Sequence, residues 1–160
     1  MERRKFIKQT TFAIAGISMI PHVISCSGKT LDISELLGKI NQNLLDFSKE
    51  GNDFFSYYSL ENHFKHEFIK GNQAFLFEQQ NKIVGFTIKE EGTSNAENYI
   101  EKLTSLYGQK NKVIDNLFGT EYLWKAKNKN IKLCYTKPYE GLEQNMHYSE
   151  YDANSKLIVF

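Results

Sequence analysis

Arginine is almost missing from this chain. The 20 basic residues include only two arginines, Arg3 and Arg4, adjacent and at the very start. The rest lacks the planar guanidinium fork that suits phosphate and carboxylate recognition. Formal net charge is +1, and residues 1–25 carry +3 of it, which leaves −2 for the remainder. A near-neutral body exerts no general pull on nucleic acid or anionic lipid, so no nucleic-acid partner is expected. There are two prolines, Pro21 and Pro138, and no proline-rich linker, repeat or low-complexity tract. One domain is the economical reading of the body. The two cysteines, Cys26 and Cys134, make no disulfide framework and no C-x-x-C. Also absent are G-x-S-x-G, the P-loop, G-x-G-x-x-G and H-E-x-x-H. No cofactor is implied, and nothing in the motif inventory marks an enzyme.

Long apolar runs are missing too. The most apolar stretch, "FAIAGISMI" from Phe12 to Ile20, is stopped by Pro21. As a helix it would rise about 14 Å, roughly half the hydrocarbon thickness of a bilayer, so it does not span one. What the chain does have is a globular balance, 41% hydrophobic and 24% charged residues. Its 12 Phe and 9 Tyr predict an aromatic-rich core.

The start has the parts of an export signal: a basic "RRKFIK", the apolar run, then "VISC". The first part resembles the twin-arginine signal of bacteria, whose pattern is Ser/Thr-Arg-Arg-x-Phe-Leu-Lys. Arg3, Arg4, Phe6 and Lys8 match; Ile7 replaces Leu, and Glu2 stands where Ser or Thr is usual. The second part resembles the lipobox of bacterial lipoproteins, with Cys26 as the modified residue. The plainer alternatives are an ordinary secretory signal that uses arginine, and simple cleavage that leaves a free cysteine. The resemblance implies a signal peptide over 1–25, cleavage before Cys26 and palmitate-type acyl chains on that residue. It further implies passage through the twin-arginine translocase and the lipoprotein-processing enzymes. The mature protein would be held on a membrane of the bacterial envelope, facing the periplasm or the exterior. At about 0.8 kcal/mol per buried CH₂, two or three chains hold firmly where one does not. Residues 26–30 then form the lipidated cysteine and its tether. Four residues reach at most about 14 Å, so the domain of residues 31–160 would sit close to the bilayer.

Within that domain the expected class is α+β: an antiparallel sheet of hairpins with two or three helices on one face. Asp32 and Glu35 form a capping box before Ile33, Leu36, Leu37, Ile40, Leu44 and Phe47, which predicts a helix ending near Gly51. Residues 52–72 suit either a strand or a short helix ending at Gly71, and the helix is preferred. Ala74–Phe77 and Ile83–Ile88 predict a hairpin across the polar "EQQNK". A second helix runs from a Ser94 cap, with Glu97 and the stripe Ala96, Tyr99, Ile100, Leu103, Leu106 and Tyr107, to Gly108. Another hairpin turns at "NKN" between "EYLWKAK" and "IKLCYT", and "MHYSEY" and "KLIVF" supply one or two more strands.

The densest polar cluster is "ENHFKHE", with Glu61, His63, His66 and Glu67. On a helix His63, His66 and Glu67 would share a face and could hold a divalent ion; on a strand the two histidines diverge. A solvated amphipathic face is the plainer reading, and two ligands fall short of the four of a structural zinc site. His147 with Glu150 could act as a general base, or could be an ordinary strand residue. Cys134 reads as a packed thiol. Tyr139, Tyr148 and Tyr151 are the candidate ligand anchors, since tyrosines near turns make good contact surfaces. The leading expectation is a lipid-anchored, non-enzymatic envelope domain that binds a partner protein or ligand. The alternatives are a metal-binding protein or enzyme built on the histidine cluster, and an accessory or inhibitor domain for an envelope enzyme.

Overall fold

Alternation of period two, and not of 3.6, governs this fold. The computed structural model describes residues 30–40, 44, 47–51 and 56–155. The elements are β1 (Leu31–Asp32), a 3-10 turn (Ile33–Glu35), β2 (Lys49–Gly51), β3 (Ser56–Ser59), β4 (Phe64–Lys65), β5 (Gln73–Gln79) and β6 (Lys82–Glu91). The helix α1 (Ala96–Tyr107) follows, then β7 (Asn111–Asp115), β8 (Gly119–Lys125), β9 (Lys129–Thr136) and β10 (Asn145–Asp152). Eight strands form one antiparallel sheet in the order β2-β3-β5-β6-β10-β9-β8-β7. β1 and β4 make a separate parallel pair. α1 carries the chain from β6 to the far edge at β7, and β10 returns to close the middle against both β6 and β9.

One face of the sheet is the core. Tyr58, Leu76, Phe86, Ile88, Met146, Tyr148, Ile131, Leu133, Tyr122 and Trp124 alternate inward and are buried. Ala96, Tyr99, Ile100 and Leu103 of α1 cover them, together with Leu31, Ile33, Leu60 and Ile69 from the irregular segments. The β5–β6 hairpin turns on Gln80 and Asn81, with φ of +51° and +62°. Two consecutive positive φ values are what a type I′ turn needs, and that turn matches strand twist. The N-cap of α1 is Asn95, one residue after the expected Ser94 and without a side-chain cap bond, and its C-cap is Gly108 with φ +82°.

The expected class of two or three helices on a sheet is corrected by this architecture: it is a mostly-β fold with one α-helix among the described residues. The helix expected from Asp32 to Gly51 is absent from the described part of that span. Asp32 does cap, accepting from Ser34 N–H at 3.2 Å, but only a 3-10 turn follows. Gly38 then takes φ +81° and donates its N–H to Ile83 O at 2.8 Å, and Ile83 N–H returns to Lys39 O at 3.0 Å. Those long-range bonds to β6 replace the local bonds a helix would make, and Ile40 ends up exposed. The short helix preferred before Gly71 is also corrected, to β3, β4 and loop. Gly71 is no helix stop: a Cβ there would lie 2.6 Å from Lys89 O, so the position needs glycine for close approach. The strand expected at "KLIVF" falls on residues 156–160, outside the described residues.

Candidate functional site

The histidine cluster comes apart in three dimensions. His63 precedes β4, and His66 and Glu67 follow it, and the three part company. His63 lies beside Phe47, with ring centroids 6.4 Å apart, and Glu67 is exposed. The His66 side chain is only 2% exposed and enters the core among Phe68, Phe86 and Tyr148. Its Nδ1 accepts from the N–H groups of Phe68 (3.3 Å) and Ile69 (3.2 Å), which pins the turn into the loop before β5. Its Nε2 faces Glu150 Oε1 at 3.9 Å, too far for a hydrogen bond. Among the described residues no three His, Cys, Asp or Glu side chains converge as a metal site.

Glu150 is the centre of that buried group. Tyr148 donates its hydroxyl to Oε1 at 2.5 Å, and Lys129 Nζ lies 2.6 Å from Oε2. Burial opposes the charge, but the contacts from His66, Lys129 and Tyr148 outweigh it and hold the carboxyl below its ordinary 4.5. Burial together with the Glu150 charge pushes the Tyr148 hydroxyl well above its usual range. The same device recurs elsewhere. Tyr58 donates to buried Glu78, which Lys49 also meets at 2.6 Å, and Tyr99 donates to Glu90 at 2.9 Å. Burial, helped by Glu90, pushes the Tyr99 hydroxyl up to about 12. A body without arginine satisfies its inward carboxylates with tyrosine hydroxyls and lysine. These groups are structural: the carboxylates of Glu78 and Glu150 are buried, and each meets a tyrosine hydroxyl and a lysine.

An open site lies at the other end of the strands. The β7–β8 hairpin turns at Asn116, whose Oδ1 accepts from Phe118 N–H (2.9 Å) and Gly119 N–H (3.0 Å). Gly119 is required there, since a Cβ would lie 2.7 Å from Tyr135 O. The turn presents Leu117 (75% exposed) and Phe118 (54% exposed), and Phe118 meets Tyr139 edge-on at 5.3 Å. Six of the eight exposed large apolar residues among those described are at this end: Val113, Ile114, Leu117, Phe118, Tyr139 and Leu142. Beneath the turn is a cavity of about 250 Å³. Its wall includes one row across four strands, because Ile114 pairs with Glu121, Glu121 with Cys134 and Cys134 with His147. Glu121 is met by Lys132 at 3.5 Å. Burial raises the Cys134 thiol, while burial and then Lys89 and Lys132 push the His147 imidazole down. Both side chains are therefore uncharged near neutrality. Beside the cavity, Asp115 is clamped by Lys112 (2.7 Å) and Lys137 (2.6 Å), and these bonds hold its carboxyl well below the usual range.

The sequence-derived candidates are thus redistributed. Tyr139 stands at the apolar end, Tyr148 is buried against Glu150, and Tyr151 lies on the opposite face of β10 from Tyr148. His147 and Glu150 point to opposite faces of β10 and do not act on one another. The apolar end itself was not read from sequence, although "NLFG" with an Asn-led turn before alternating "GTEYLWK" carries the signal of a hairpin. Arg3, Arg4, Phe6, Lys8 and Cys26 lie outside the described residues. No helix among the described residues is long and apolar enough to cross a membrane. Comparison with protein-family models, with curated proteins and with solved structures finds no match.

Proposed function

We propose that this protein is a lipid-anchored component of the bacterial cell envelope, a binding domain that docks on a partner protein through the β7–β8 turn and the loop of residues 137–144. The observation that supports docking is the gathering of Val113, Ile114, Leu117, Phe118, Tyr139 and Leu142, all exposed, at one end of the sheet. Exposed apolar side chains gathered in this way mark interaction sites, and aromatic anchors carry much of the energy at such contacts. The anchor rests on the sequence of residues 1–26 alone. A photo-crosslinking residue placed at Leu117 in intact cells tests the docking. A discrete adduct from position 117, absent from a control at Asn154 on the opposite end, is expected. Equal labelling from both positions would remove the reading. Cys26→Ser tests the anchor: the protein leaves the membrane fraction or stalls uncleaved, and unchanged firm attachment with normal processing would refute it.

A further inference from the structure

The cavity beneath the β7–β8 turn has a chemistry of its own, apart from the exposed side chains around it. We infer that it is a binding site for a free, uncharged aromatic molecule of one ring or two fused rings. Size comes first. About 250 Å³ falls just under the roughly 300–1,000 Å³ of drug-sized sites and matches one ring or a fused pair. Shape is second. Phe118 forms one wall, steadied edge-on by Tyr139, and Ile114 forms another, which suits a flat apolar guest. Charge is third. The one carboxylate in the wall, Glu121, already faces Lys132, and the two lysines nearest the turn, Lys112 and Lys137, both hold Asp115. No other carboxylate and no lysine is among the lining residues, and Lys89, paired with His147 across β6 and β10, stands outside them. Polarity is fourth. Cys134 and His147 stand side by side across β9 and β10 and are uncharged, and Asn145 is beside them in the wall. They offer a ring hydroxyl or ring N–H one or two neutral hydrogen bonds. That arrangement selects a phenol- or indole-like guest over benzoate or an aromatic amine cation.

This site is adjacent to the docking surface and shares Ile114 and Phe118 with it, but does not depend on the docking reading. The experiment uses the full chain carrying Cys26→Ser, which leaves Cys134 as its one thiol. Phenol and indole are titrated against it, with benzoate and benzylammonium as charged controls. Two readouts are followed: amide shifts in a two-dimensional NMR spectrum, and the rate at which a neutral maleimide labels Cys134. We expect saturable shifts at Gly119, Thr136 and Asn145 and at least fivefold slower labelling with phenol or indole, and neither effect with the charged controls. Phe118→Ala should weaken phenol at least tenfold, and Cys134→Leu, which fills the cavity, should abolish the shifts. Absence of saturable shifts overturns the inference, and so does equal binding of benzoate. Shifts that survive Cys134→Leu and vanish with Leu117→Ser overturn it as well, because the ring would then be on the exposed surface. Should Cys134→Leu fail to fold, the maleimide protection in the unfilled cavity decides alone. Loss of the Leu117 crosslink in cells, with phenol binding intact, would sink the docking reading and leave this one standing.

Discussion

Two regions of this molecule invert the usual distribution of polarity. Around Glu150, a buried carboxylate meets Tyr148 and Lys129; around Leu117, apolar groups are exposed on a sharp turn. The first arrangement costs desolvation, which only good geometry offsets. The second forgoes burial worth about 25 cal/mol per Å² of apolar surface. Polar burial here is answered by partners within the chain, so it explains shape. Apolar exposure is answered by nothing within the described chain, so it points outward. His66, from a cluster rich in histidine and glutamate, turns out to be scaffold, while a plain Leu-Phe turn is the better candidate for contact with other molecules.

Breaking the buried side of this comparison has the largest expected effect. Glu150→Ala strands Lys129 and the Tyr148 hydroxyl without their acceptor, and should cost about 3–5 kcal/mol in denaturant unfolding. Glu150→Gln keeps the shape and should cost less. If Glu150→Ala were neutral, the group would not be the keystone assigned here. Gly119→Ala comes next, at about 2 kcal/mol, since its Cβ would press on Tyr135 O at 2.7 Å and a backbone atom has little room to yield. The same change on the outward turn two residues earlier, Leu117→Ala, should cost almost nothing, which sets the strained and unstrained ends of one hairpin side by side.

Why the scaffold role of His66 was not legible follows from distance along the chain. Its acceptor bonds to Phe68 and Ile69 are local, but Glu150, Tyr148 and Phe86 reach it only through the sheet order β5-β6-β10. Sequence spacing around His63 and His66 cannot show that. The helix expected from Asp32 failed for the same reason: Ile33, Leu36, Leu37 and Ile40 have helical spacing, but Gly38 finds its hydrogen-bond acceptor in Ile83. Local order was readable where the partner is local. The β5–β6 hairpin and α1 are of this kind, and α1 differs from its expected start by one residue. The row Ile114–Glu121–Cys134–His147 needs three strand registers at once, and no single stretch of sequence contains it.

Acid should separate the two regions further. The Glu150 carboxyl is held below its ordinary 4.5 in the fold, so its contribution is complete above about pH 4.5 and is lost as pH falls through the folded value. His147 is held below its ordinary 6.5, so the unfolded chain takes up a proton first and stability begins to decline as pH falls through 6.5. Two steps are therefore expected in a stability profile from pH 8 to 3, a shallow one near 6.5 and a steeper one below 4.5. His147→Gln should remove the shallow step and leave the steep one. A profile unchanged by that substitution would show that the site beside Cys134 does not titrate as its surroundings imply.

The smallest effect on stability belongs to the region with the strongest claim to function. Leu117 is three-quarters exposed on its turn, and the bonds that hold the turn run from the Phe118 and Gly119 N–H groups to Asn116, and from Lys137 N–H to Phe118 O. None of them uses the Leu117 side chain. Leu117→Ser should therefore change unfolding free energy by no more than about 0.5 kcal/mol, the ordinary range for a surface substitution. Replacing a large exposed apolar group by a polar one should even raise solubility. If docking occurs here, the same substitution should weaken partner capture in cells by about tenfold, because fully burying a leucine side chain is worth about 1.5–3 kcal/mol. Measuring both quantities on one variant gives a ratio that a merely structural residue cannot produce. Leu106 supplies the control, since it is also exposed and apolar but lies on α1, away from the turn. Leu106→Ser should match Leu117→Ser in stability and leave capture unchanged; equal loss of capture from both would reduce the apolar end to ordinary surface.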